Sequence, residues 1–160
     1  MPGPLRFPRM TVSPAPVAVD CCAVFRLVEA CHDVVGRVEA ALGDLGLSLA
    51  KVGILRQLVL ADSPIPLTAL AERIGCVKSN VSQLVDRLGA DGLVARQPDA
   101  HDRRLVRATI TPAGRAAYAQ ATERLGALTS QWADRIDGGP DAVIERLGEL
   151  VALVERGHPT

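Results

Sequence analysis

Residues 99–115 read DAHDRRLVRATITPAGR, a run that sets Arg103 and Arg104 side by side behind Asp99, His101 and Asp102. Adjacent guanidinium groups at a loop tip repel one another unless an anion answers them. A phosphate backbone or a narrow minor groove is such an anion. Asp99 and Asp102 have a separate expected task, tying the loop to its own arginines and backbone so that the tip keeps its shape. The bland alternative is a solvated turn whose ion pairs stabilise little. A second polar set lies upstream: Lys78, Ser79, Asn80, Ser82, Gln83 and Arg87. Hydroxyls and carboxamides on a helix bond base edges and phosphate oxygens at close range, and Asn or Gln pairs bidentately with adenine. Both sets point to binding chemistry rather than bond-making.

Catalytic chemistry finds no comparable set. His32, His101 and His158 stand in no nucleophile–base arrangement, and no glycine-rich phosphate loop follows a strand. No enzyme activity and no cofactor are expected. A metal site from Cys31 and His32 with Cys21 or Cys22 is disfavoured, because residues ten apart on a helix lie ~80° apart around its axis. In a reducing compartment the four cysteines are small hydrophobes. Cys76 falls where the surrounding pattern calls for an apolar residue, so it is expected to be buried. The redox alternative, through Cys21, Cys22 or Cys76, stays open, since a helix N-terminus lowers a thiol's pKa.

The elements that must position the polar sets follow from periodicity. Residues 1–19 hold five of the eleven prolines and read as a disordered leader, with Met1 and Met10 both usable as a start. Residues 20–47 carry apolar side chains from Val24 to Leu45 at spacings of three and four, a long amphipathic helix. Ser48 then caps a second helix with Leu49, Val52, Leu55, Leu58 and Val59 inward. Residues 62–66 leave room for a very short extended piece. Two short helices follow, 67–75 and 77–90. Two strands, 93–97 and 105–110, flank the charged loop. Thr111-Pro112 opens another long helix through Tyr118, Ala121, Leu125, Leu128, Trp132 and Ile136, and Pro140 opens the last, with Val143, Ile144, Leu147, Leu150, Val151 and Val154 on one side. The fold class expected is mainly α: a winged helix-turn-helix core over 48–111 with a two-stranded β-hairpin wing, flanked by dimerisation helices over 20–47 and 112–157.

The helix-turn-helix rests on LTALAERIGCVKSNVSQLV, residues 67–85. Leu70, Ile74, Val81 and Leu84 supply the inner faces, Ala71 permits close packing, and Gly75 makes the turn. Charge follows the same boundaries. Net charge is zero overall, but residues 66–115 carry eight Lys/Arg against five Asp/Glu, and residues 116–160 carry four against seven. A basic segment beside an acidic one suits a local phosphate-facing surface. The apolar runs are too short and too often interrupted to span a membrane, and no secretion signal is legible, so a cytoplasmic protein is expected.

Residues 67–115 resemble the DNA-binding core of the MarR family of bacterial winged-helix transcriptional regulators. Asp99-x-x-Asp102-x-Arg104 followed by Thr111-Pro-x-Gly114 carries the likeness most closely, and it extends over about residues 20–156. The resemblance implies a homodimer on a palindromic operator in double-stranded DNA, a repressor released by a small ligand or an oxidant. An aromatic or lipophilic acid in a pocket between dimer helices and winged module is the expected ligand. Cys21-Cys22 only loosely resembles the reactive cysteine of the hydroperoxide-sensing branch, whose tyrosines are missing here. The competing reading is a winged helix used as a protein-interaction module, which should expose apolar anchors where this chain has polar residues.

Overall fold

The computed structural model describes residues 21–99, 105–133 and 135–156, apart from the side chains of 21–22 and 153–156. Among them are six α-helices and three strands in the order α1 (Cys21–Gly43), α2 (Leu49–Ala61), β1 (Ile65–Pro66), α3 (Leu67–Ile74), α4 (Lys78–Ala90), β2 (Val94–Pro98), β3 (Val106–Ile110), α5 (Pro112–Ala133) and α6 (Gly139–Arg156). The proline-rich leader and the tip Ala100–Arg104, with Asp102, Arg103 and Arg104, lie outside the described residues. The described residues fall into two separately packed units, divided between Val34 and Val35.

In the second unit, Leu42, Ile54, Leu55, Leu58, Leu70, Val81, Val85 and Leu88 are the largest fully buried side chains. Ser48 caps α2 by accepting from the Lys51 amide at 3.2 Å, and the Glu39 carboxylate accepts from the Leu49 amide at 3.1 Å. Its inward face differs from the expected one: Leu49 is exposed, while Ile54 is buried. The reason is that α2 packs against α3, α4, α5 and β3 together, so its covered face is wider than one stripe, and its first residue stands clear of it.

The sheet has three strands, not the hairpin's two, in the antiparallel order β1-β3-β2. Ile65 and Pro66 pair with Ala108 and Arg107, so the short extended piece becomes an edge strand of the wing's own sheet. Ala108, opposite both Ile65 and Arg96, is fully buried at the centre. Only Val94 of β2 is buried and Ala95 to Pro98 are exposed, so β2 leaves the core after its first residue while β3 keeps Ala108 in it.

The hairpin returns to the core through Thr111. Its amide donates to the Leu93 carbonyl (3.1 Å), its hydroxyl donates to the Gly92 carbonyl (2.8 Å), and the same oxygen accepts from the Gly114 amide (3.0 Å) as the cap of α5. Glycine is required at 114, because a Cβ there would overlap the Leu93 carbonyl oxygen. The Thr-Pro-x-Gly sequence is thus a joint between the α4–β2 turn and the first turn of α5.

The long helices contrast with this core. Val24, Phe25, Leu27 and Val28 of α1 are 64%, 69%, 39% and 46% exposed. Along α6, which packs against α5, Val143, Ile144, Leu147, Leu150 and Val151 are exposed as well. None of the helices in the described residues is long and apolar enough to cross a membrane.

Candidate nucleic-acid interface

α3 and α4 are joined through Gly75, which has φ 63° and ψ 31°, a left-handed conformation that costs any residue with a Cβ about 1 kcal/mol. Its amide reaches the Glu72 carbonyl at 3.2 Å and the Cys76 amide reaches the Ala71 carbonyl at 3.0 Å, the paired closure that ends a helix at glycine. Val81, Val85 and Leu88 hold α4 against the core, with Leu84 partly buried beside them. The opposite side follows from the same 3.6-residue period. Lys78, Ser79, Asn80, Gln83, Asp86 and Arg87 are exposed, and Ser82 is half-buried. The structure therefore brings the upstream polar set onto one outward face of one helix.

Two features at the start of α4 depart from expectation. Cys76 is exposed, not buried: its backbone closes α3 while its thiol stands at the surface. Val77 holds the cap position with extended backbone, makes no side-chain capping bond and is 63% exposed. A valine there offers the first amides of α4 no side-chain acceptor, the Asn80 amide reaching the Val77 carbonyl at 3.1 Å instead, and nothing in the sequence pattern singled it out. Cys31 is a free, exposed thiol, and the side chains of Cys21 and Cys22 lie outside the described residues. No group of three or more His, Cys, Asp or Glu able to hold a metal occurs among the described residues.

The basic segment is less available than its count suggests. Arg96 pairs with Asp86 of α4, Arg107 with Asp99, and Arg115 with Asp62. Among the described residues Arg73 of α3 and Lys78 and Arg87 of α4 form no ion pair, so the uncommitted positive charge of this region lies on the helix-turn-helix. Asp99 is buried at the root of the wing, and its amide donates to the Leu105 carbonyl at 2.9 Å across the base of the loop. Its partner Arg107 had counted as one of the basic surface residues, and the structure turns it inward. A recess of about 130 Å³ lies between α4 and the hairpin root, with Leu67, Leu105 and Val106 as its apolar lining and Lys78, Ser82 and Arg96 among its polar one.

A polar helix presented beside a two-stranded hairpin is the geometry of a winged helix-turn-helix. Residues 45–105 match the MarR family model. The fold is similar to Sco5413, a MarR family transcriptional regulator from Streptomyces coelicolor, at 26% identity and TM-score 0.71, over 86% of this chain and 96% of that one. It is similar also to CouR from Rhodococcus jostii RHA1 bound to p-coumaroyl-CoA, at 25% identity and TM-score 0.66, over 86% and 94% of the two chains. A MarR variant from E. coli complexed with operator DNA, 22% identical with TM-score 0.66 over 86% and 94%, shares the fold. No curated protein sequence matches the chain. The MarR family match over residues 45–105 and the fold shared with MarR family regulators around it support a MarR family winged-helix transcriptional regulator.

Proposed function

We propose that the chain is a cytoplasmic, homodimeric repressor that binds a palindromic operator and is released by a small aromatic or lipophilic ligand. The observation that carries it is the outer face of α4, where Lys78 and Arg87 carry unpaired charge around Ser79, Asn80 and Gln83. In this reading α4 enters the major groove. Ser79, Asn80, Ser82 and Gln83 meet base edges and phosphates, and Lys78 and Arg87 meet phosphates. Arg103 and Arg104 grip the flanking minor groove, with Asp99 and Asp102 shaping the loop. The uncovered apolar stripes of α1 and α6 support the dimer, since a second copy buries them and sets two α4 helices about one turn of DNA apart. The solved relative bound to p-coumaroyl-CoA, an aromatic acyl thioester, supports an aromatic ligand. The oxidant reading draws on the exposed Cys76 next to α4 and on Cys21 and Cys22; peroxide then weakens DNA binding, and serine at the sensing positions abolishes that response.

Selection of duplexes by the purified chain from a randomised pool tests the function. Enrichment of a two-fold-symmetric sequence, bound with steep salt dependence, is expected. Failure to enrich any sequence, with retardation equal for all duplexes, overturns sequence-specific regulation.

A further inference from the structure

We infer that Arg107 is a positioning residue for the wing: its guanidinium ties the hairpin root to the connection that leads into the helix-turn-helix. The inference rests on the DNA-binding reading above and names the part that aims the wing. Arg107 lies in β3, and its Nε donates to Oδ2 of Asp99 while its Nη1 donates to the Pro64 carbonyl at 3.0 Å. These acceptors belong to different segments. Asp99 is the first residue after β2, and Pro64 lies between α2 and β1.

The rest of the hairpin is held by other means: Ala108 is buried, Val106 and Ile110 pack on the core, and Arg96 pairs with Asp86 of α4. β1 pairs with β3 over two residues only, and the residue opposite Arg107 is Pro66, which has no N–H to donate. Arg107's side chain acts at the register position where the ladder is weakest. Beyond Val94, β2 buries nothing. A guanidinium is a planar fork with donors in fixed directions, so bonding two segments sets the angle between them as well as the distance. The Asp99 side chain is 4% exposed and that of Arg107 35%, so water competes poorly for the contact. Asp62, two residues before Pro64, pairs with Arg115 at the start of α5. Since Asp99 and Leu105 bracket the charged loop, the direction in which that loop leaves the core is set at this tie.

Charge and position make opposite forecasts at Asp99. Removing an acid beside DNA should tighten binding through charge alone, whereas loss of a positioning partner should weaken it. The full-length parent, Asp99→Ala and Arg107→Lys are compared at 25 °C on the duplex selected by the parent, by gel shift, hydroxyl-radical footprint and thermal melt. Arg107→Lys keeps the charge and loses the fork. Both variants should bind about tenfold more weakly, the scale of one charged hydrogen bond. The outer protections flanking the site should fade while the central ones persist, with melting midpoints well above 25 °C. Asp99→Ala binding as tightly as the parent or tighter, with the outer protections intact, overturns the inference. A lowered midpoint with unchanged affinity and footprint overturns it too, since the tie would then be structural only. Should Asp99→Ala fail to fold, the footprint of Arg107→Lys decides alone. A parent that selects no duplex brings down the DNA-binding reading itself, and this inference with it.

Discussion

The segment from α2 to β3 and the outer helices α1 and α6 draw on the same apolar residues, Leu, Val and Ile, and treat them in opposite ways. In the first region Leu55, Leu58, Leu70, Val81 and Leu88 are at most 1% exposed. In α6 Ile144 and Val151 stay 65% and 56% exposed, although the helix repeats apolar residues as regularly as α4 does. A stripe of that kind on a single chain is unusual for a surface with no partner. The difference teaches that periodicity announces a helix and one sticky face, while it leaves open whether the same chain or another supplies the cover.

Substitutions separate the two treatments. Leu70→Ala should lower unfolding stability by about 2–5 kcal/mol, the range for emptying a filled core position; urea denaturation of the parent and variant checks it, and a loss under 1 kcal/mol would mean the site collapses freely. Ile144→Arg should leave the fold in place but yield a monomer by sedimentation equilibrium. Its affinity for a two-half-site duplex should fall roughly a hundredfold, because the second contact is no longer intramolecular; a dimer of unchanged strength would remove α6 from the interface. Arg104→Ala should weaken operator binding by about 1–3 kcal/mol in gel shifts with little change in melting temperature, and an unchanged midpoint would take the wing tip out of the mechanism. Val77→Ser should give α4 a side-chain cap and raise stability by about 1 kcal/mol. No gain would show that another group already satisfies those amides.

Much of the core was legible because its turn chemistry is local. Gly75, Ala71 and the inner stripe of α4 specify a helix-turn-helix within about twenty residues, and Thr111-Pro112 announces a capped helix that hydrogen bonds then provide. What escaped depends on pairs distant in sequence. The very short extended piece expected at 62–66 is present as β1, but its pairing with β3 could not be read from two residues of which one is proline. Arg107 meets Pro64 across 43 positions, and no spacing rule connects them. The charge count over 66–115 missed one such pair, since Arg115 is partnered by Asp62, 53 positions away and outside that segment. Cys76 was misplaced because a glycine turn decides which way its thiol faces.

The Thr111 joint has a mechanical consequence. Gly92 and Leu93, just beyond α4, are bonded to the residue from which α5 departs, and Ala117, Ala121 and Leu125 pack on the core, so the first half of α5 is one piece with the helix-turn-helix. With 22 residues and a rise of ~1.5 Å each, α5 is about 33 Å long, and a tilt of about 5° sweeps its far end through about 3 Å.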